Sequence, residues 1–330
     1  MILKNTRRIH LHRSVSEDDH INFPFFFSIF FTVFFIARSS RIADVHSSTK
    51  HVALFVFGDS FFDSGNNNFL NTTRGYRANF MPYGETFFKY PTGRFSNGGL
   101  VPDFIADYAN LPLILSYLDP RTKRYNYGVN FASGGGGVLV ETHRGFVIDL
   151  GTQLRNFKKV ERSIRKKLGR SRARRLLSNS VYLFGIGGND YIVPFEGSPV
   201  LKKYTKTEYV NMVLGNATKV LEEIYKKGGR KFVVAAVAPI GCMPNTRLKT
   251  GRQHGRCWDE PSALARLHNQ LLLPIALQKL ANKLKGFKYT VADTYTVLQN
   301  RIDNPSKYGN PPTIFFMFLK FSLIFSILVR

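Results

Sequence analysis

Five short apolar runs punctuate the chain: "HVALFVF" (51–57), "YGVNFA" (127–132), "SVYLFGI" (180–186), "KFVVAAVA" (231–238) and "KYTVAD" (288–293). Each is rich in Val, Phe or Tyr, and each is unbroken rather than alternating. That pattern suits strands buried on both faces of a parallel sheet. Between the runs lie segments long enough for crossover helices: "GGLVPDFIADYANL" (98–111), "TEYVNMVLGNATKVLEEIYKKG" (207–228) and "SALARLHNQLLLPIALQKLANKLKG" (262–286). Alternating β and α predicts a doubly wound α/β layer. No internal repeat is visible.

The polar punctuation falls at one place in each unit. "GDS" follows the first run, "SGGGG" (133–137) the second, "GGND" (187–190) the third and "APIGCMP" (238–244) the fourth. In a parallel sheet these loops all emerge at the carboxyl edge, where ligand sites form. The first of them is abrupt. "FVFGDSFFDSGNNN" (55–68) leaves an apolar strand and at once presents Ser60 among acids and amides. Asp59 and Asp63 are placed to tie that loop by side-chain hydrogen bonds, as Asx-type turns do. The G-x-S-x-G elbow of the α/β-hydrolases is absent. So are P-loop and dinucleotide fingerprints, since "GIGGND" has Asp190 where the last glycine belongs.

Length and charge refine this picture. The chain has 330 residues and is 44% hydrophobic, enough for one large α/β domain or two small ones. Its formal net charge of +25 is concentrated in "RNFKKVERSIRKKLGRSRARR" (155–175), which holds eleven basic residues and one acid, Glu161. Leu154, Phe157, Val160, Ile164 and Leu168 recur beneath that charge at helical spacing. The expectation is an amphipathic helix with a solvated basic face. A sharper reading is attraction to an anionic surface, either acidic polysaccharide of a cell wall or a membrane. Nucleic acid fits less well, because no aromatics are interleaved and no recognition motif is present.

Residues 1–45 read as a signal peptide with an extended basic leading region. Lys4, Arg7, Arg8 and Arg13 precede the apolar run Ile21–Ala37, and small residues follow. A transmembrane anchor is the alternative, although this run is shorter than the usual ~20 residues and contains Pro24. The layout predicts a secreted, extracellular protein. Asn71-Thr72-Thr73 and Asn216-Ala217-Thr218 are glycosylation sequons. The two cysteines, Cys242 and Cys257, would close one short loop as a disulfide in an oxidising compartment; two free thiols are the alternative.

Several blocks together resemble one family. "FVFGDSFFDSGNNNFL", "PTGRFSNGGLVPDFIADYANLPLI", "YGVNFASGGGGVL", "YLFGIGGNDY" and "APIGCMPNTR" are similar to the plant-type GDSL esterase/lipases of the SGNH hydrolase superfamily. The similarity runs from about Ala53 to Tyr308, giving a hydrolase domain over residues 50–310. The resemblance implies a three-layer α/β/α flavodoxin-like fold with a central five-stranded parallel sheet. It also implies hydrolysis of carboxylic esters, of lipid or acyl/acetyl type, with no cofactor and no metal. Carried over by motif, Ser60 is the nucleophile, working through an acyl-enzyme. Gly135 and Asn189 complete an oxyanion hole with the Ser60 N–H.

The family's remaining block is D-x-x-H, whose His activates the serine and whose Asp orients that His. None of the eight histidines has Asp three positions before it. His268 falls in a helical stretch and reads as an ordinary helix residue, while His143 and His254 fall in loops. Residues 311–330 instead form an apolar tail with Lys320 near its middle. It reads either as a membrane anchor or, preferably, as non-family sequence from intron read-through or a faulty gene model. The family's last helix is then expected to be missing. Two functional expectations result: a secreted serine hydrolase, or a non-catalytic protein that keeps the pocket and binds esters or cell-wall material.

Overall fold

The computed structural model describes residues 52–249 and 256–308. The expected signal segment, the apolar tail and His254 lie outside the described residues. Five strands form one all-parallel sheet: β1 (Leu54–Gly58), β2 (Gly128–Asn130), β3 (Val181–Gly185), β4 (Lys231–Ala235) and β5 (Lys288–Ala292), in the order β2-β1-β3-β4-β5. Each apolar run became one shorter strand, with β1 running one residue past its run to Gly58. The longest helices are α1 (Val101–Tyr108), α2 (Leu150–Asn179), α3 (Lys206–Lys226), α4 (Asp259–Leu267), α5 (Leu273–Lys283) and α6 (Thr294–Asp303).

Alternation along the strands assigns the two faces. Phe55 and Phe57 of β1 point into one cluster, with Phe131, Phe157, Tyr182, Phe184 and Phe232. There the rings of Phe57 and Phe184 stack 4.7 Å apart, and those of Tyr182 and Phe232 5.4 Å apart. Helices α2 to α5 cover this face. Leu54 and Val56 point the other way, against Val101 and Ile105 of α1 and Val297 of α6. Both faces are covered, which is why the strands carry no polar alternation.

Two helices depart from the sequence pattern. The basic segment is not one continuous helix, because α2 breaks at Gly169 (φ 77°, ψ 163°). Glycine reaches that backbone conformation without steric cost. The second departure joins α4 to α5 through a wide turn, His268–Leu272, of π type. Its cause lies in the sequence. Pro274 has no N–H to give to the carbonyl of Gln270, so a regular α-helical bond is missing there.

A buried ion pair fastens the covering helix α1 to the serine loop. Arg94 grips Asp103 with two hydrogen bonds, Nε to Oδ2 at 2.9 Å and Nη2 to Oδ1 at 2.8 Å. Asp103 also accepts the Leu100 N–H at the helix start (2.7 Å), while Arg94 Nη1 reaches the Ser64 carbonyl (3.3 Å). Cys242 and Cys257 are joined as a disulfide across the loop that follows β4.

Candidate active site

The strand order reverses between β1 and β3, because β2 lies to one side of β1 and β3 to the other. The crevice at such a switch point is where open parallel sheets bind ligands. Ser60 leaves β1 at that crevice. It is half-buried, and neither its Oγ nor its N–H has a partner among the described residues.

The turn that carries Ser60 is held from beneath. Asp59 N–H donates to the Gly185 carbonyl (3.1 Å), and the Phe62 and Asp63 N–H groups donate back to the Asp59 carbonyl. The Asp59 carboxylate accepts from Phe61 N–H (3.1 Å). Asp63 accepts three backbone N–H groups, from Gly65, Asn66 and Gly134, at 2.7 to 2.8 Å. Its bond to Gly134 ties the serine loop to the glycine loop after β2. The asparagines extend the same stitching. Asn66 donates to the Asn130 and Ala132 carbonyls, and Asn67 to those of Tyr76 and Gly134.

The glycine loop presents one donor. Gly134 N–H is spent on Asp63 and Gly136 N–H on Ser133, while Gly135 N–H has no acceptor among the described residues. Gly135 has φ +80°, and a Cβ there would lie 2.5 Å from the Tyr76 ring, so any other residue is strained and must displace that ring. Asn189 comes from a short helix, Gly188–Ile192, that follows β3, and its Nδ2 donates to the Gly136 carbonyl (2.9 Å). One amide hydrogen is thus fixed, and the amide sits against the glycine loop with a second hydrogen to give. Asp190 anchors both loops by accepting from Val138 N–H, Leu139 N–H and Thr142 Oγ1.

Three buried carboxylates therefore lie under the site. Burial pushes Asp59 up to about 7, and Asp63 and Asp190 each up to about 6; the charges of Asp190 and Asp63 raise Asp59 further. The ordinary value is 3.8, so between about pH 4 and 7 the folded state keeps a proton on Asp59 that the unfolded chain has given up. Stability from this group is present in acid and is lost as pH rises, at up to about 1.4 kcal/mol per pH unit. Asp59→Asn should therefore stabilise the protein by a few kcal/mol at about pH 8 and have little effect at about pH 4. Urea unfolding at the two pH values checks this; equal effects at both would contradict it.

Two side-chain amides that the sequence did not single out clamp the strand ends. Gln153 of α2 accepts from Gly58 N–H (2.9 Å) and donates to the carbonyls of Gly58 (2.8 Å) and Ile148 (3.0 Å). Asn269 likewise reads both backbone groups of Val237, each at 2.8 Å. A signal for Gln153 existed: it is a polar residue on the apolar stripe formed with Leu150 and Phe157, and it is fully buried. Gln153→Ala should cost roughly 2–4 kcal/mol in stability, by leaving the Gly58 N–H and the Ile148 carbonyl unpaired, while the Gly58 carbonyl keeps its bond from Ser133 N–H. Ester hydrolysis should fall by about tenfold or more, since Gly58 sets the position of Ser60. Gln153→Glu cannot donate to two carbonyls and should behave similarly. Denaturant titration and initial rates read both effects.

Two histidines are among the described residues, and neither is hydrogen-bonded to Ser60. His143 Nδ1 meets the Gly135 carbonyl at 2.8 Å beside the Tyr76 ring. His268 lies in the helical stretch, as expected, at its π turn. It is buried in the π turn, and its Nδ1 lies 2.6 Å from the Tyr191 hydroxyl. Burial pushes its pKa down to about 3.

Beside Asp59 opens a small apolar cavity of about 40 Å³, lined in part by Phe61, Phe62, Ala236, Val237, Ile240 and Leu298. Among the described residues no group of three His, Cys, Asp or Glu could hold a metal ion. No described helix is long and apolar enough to cross a membrane.

Comparison with known proteins bears on this geometry. The profile of the GDSL-like lipase/acylhydrolase family matches residues 54–318. A GDSL lipase of Tanacetum cinerariifolium is 48% identical over 263 residues, covering 80% of this chain and 69% of that protein. GDSL esterase/lipase 1 of Arabidopsis thaliana is 48% identical over 264 residues, covering 79% of this chain and 70% of its own. GDSL esterase/lipase 4 of the same plant is 44% identical over 297 residues, covering 87% and 78%.

Proposed function

Because the chain belongs to the GDSL-like lipase/acylhydrolase family, whose members are carboxylic ester hydrolases, we propose that it cleaves esters through an acyl-enzyme on Ser60. One observation carries the reading. Among the described residues, neither the Ser60 hydroxyl at the switch-point crevice nor the Gly135 N–H of the glycine loop, which Asp63 ties to the serine loop, has a hydrogen-bond partner. Attack by Oγ on the ester carbonyl builds negative charge on the carbonyl oxygen. The N–H groups of Ser60 and Gly135 and the Asn189 amide receive that charge, at positions already fixed by Asp63, Asp190 and Gln153. Neither described histidine meets Ser60, so the Oγ proton leaves to water in the crevice, and the departing alkoxide takes a proton from water. The acyl group occupies the apolar cavity beside Phe61 and Ala236, and water then releases it.

We place the protein outside the cell. The basic-then-apolar leading segment, the disulfide Cys242–Cys257 and the two sequons support this. Asn71 is exposed in a bend, whereas Asn216 lies within α3 with its amide tied to the Met212 carbonyl. Both are proposed glycan acceptors, and Asn71 is the more open of the two. The basic face of Arg155–Arg175 is the proposed contact with an anionic surface.

A panel of p-nitrophenyl esters of graded acyl length tests the catalytic reading. Turnover with a preference set by acyl length supports it. Saturable ester binding without turnover would replace it with a non-catalytic binding role.

A further inference from the structure

We propose that the outer face of α2 is a docking surface for a linear carboxylated polysaccharide, and that it tethers the enzyme while leaving the ester site open. Of the eleven basic residues in this segment, two meet a carboxylate among the described residues. Arg165 pairs with buried Glu161, and Lys158 pairs with Glu223 of α3. Lys159, Arg162, Lys166, Arg170, Arg174 and Arg175 have no acidic partner among the described residues, and all six are exposed except where their stems touch the helix. The loop before β2 adds to the field. Lys167 Nζ donates to the Lys123 carbonyl (3.1 Å), which brings Lys123 and its neighbour Arg124 alongside. An uncompensated row of this kind repels itself, and a polyanion would relieve that repulsion.

The chemistry of the face selects among polyanions. The apolar side of α2 is consumed by the core through Phe157, Val160, Ile164, Ala173, Leu176 and Leu177. No large apolar residue is exposed anywhere in the helix. A helix that settles into a bilayer needs an apolar side to bury, and this one has none to spare. Single-stranded nucleic acid needs a series of aromatic platforms, and α2 itself exposes no aromatic side chain. A recognition helix for duplex DNA enters the major groove, whereas α2 lies flat along the sheet. What remains is a row of mostly arginine forks, the geometry that suits carboxylates in series.

Placement keeps this surface clear of the chemistry. The first turns of α2 reach the site, where Gln153 holds Gly58. The helix then runs to Ser180 and the start of β3, at the opposite edge of the sheet. Leu168, just before the break at Gly169, already lies 15 residues beyond Gln153 in sequence, a rise of about 22 Å along a regular helix. A polymer on Arg162 to Arg175 would leave the Ser60 crevice uncovered.

The test uses the full chain and polygalacturonate as the probe, with dextran as the neutral control and phosphatidylserine vesicles and duplex DNA as competitors. Binding to polygalacturonate should weaken about tenfold or more between roughly 50 and 200 mM salt. The variant R162E/K166E/R170E/R174E should lose at least about tenfold in affinity and should hydrolyse a soluble short-chain ester at the native rate. Binding unchanged in the variant would overturn the proposal. So would no binding to polygalacturonate, or stronger binding to vesicles or DNA at equal charge concentration. None of these outcomes depends on whether Ser60 is the nucleophile, so this proposal and the catalytic one fail separately.

Discussion

Ser60→Ala removes ester hydrolysis while leaving the folding free energy within about 0.5 kcal/mol of the native protein. The two effects separate because Ser60 Oγ has no partner among the described residues. Deleting it strands no buried group. The activity loss should be on the order of 10⁴–10⁶ in kcat, as expected when the nucleophile of a covalent mechanism is removed and only the oxyanion donors remain. Initial rates on a chromogenic ester, measured beside a thermal melt, read both quantities. Residual activity within tenfold of native would assign the hydrolysis to another group.

Arg94→Ala should be the most destabilising single substitution considered for this chain, at about 3–5 kcal/mol. It leaves the Asp103 carboxylate buried with one backbone N–H and no cation, and removes a donor from the Ser64 carbonyl. Both side chains of the pair are almost wholly buried, 6% and 3% exposed, so water cannot replace the guanidinium. The same change strips a cation from the face of Phe88, 4.5 Å away. Denaturant unfolding reads the loss. The double variant R94M/D103L should recover part of it, because an apolar pair removes the stranded charge. A double variant as unstable as the sum of the two singles would contradict this account.

Much of the scaffold was legible because each strand is an unbroken apolar run, and burial on both faces demands that composition. The four loop motifs were legible for a related reason. Glycine and asparagine are needed where backbone must approach closely, and these residues stand out against Val and Phe. What escaped the sequence depended on partners distant along the chain. Gln153 meets Gly58 across 95 positions, and nothing in its own neighbourhood names that partner. His268 belongs with Tyr191, 77 positions earlier. The π turn that carries it followed from Pro274, but an apolar period spanning the whole segment concealed the break. Gly169 was hidden in the same way inside a strongly basic helical pattern. Asp63 was anticipated as a tie within its own loop, while its bond to Gly134 N–H in the next loop needed the sheet order to bring the two together.

The central claim is that Ser60 accepts the acyl group. Its most direct test is to treat the protein with a fluorophosphonate, which phosphonylates an activated serine by displacing fluoride, and to locate the adduct by peptide mass spectrometry. The account predicts one stoichiometric adduct, on the peptide carrying Ser60, absent from Ser60→Ala and slowed by competing ester. A folded protein that acquires no adduct, or acquires it on another residue, would contradict it.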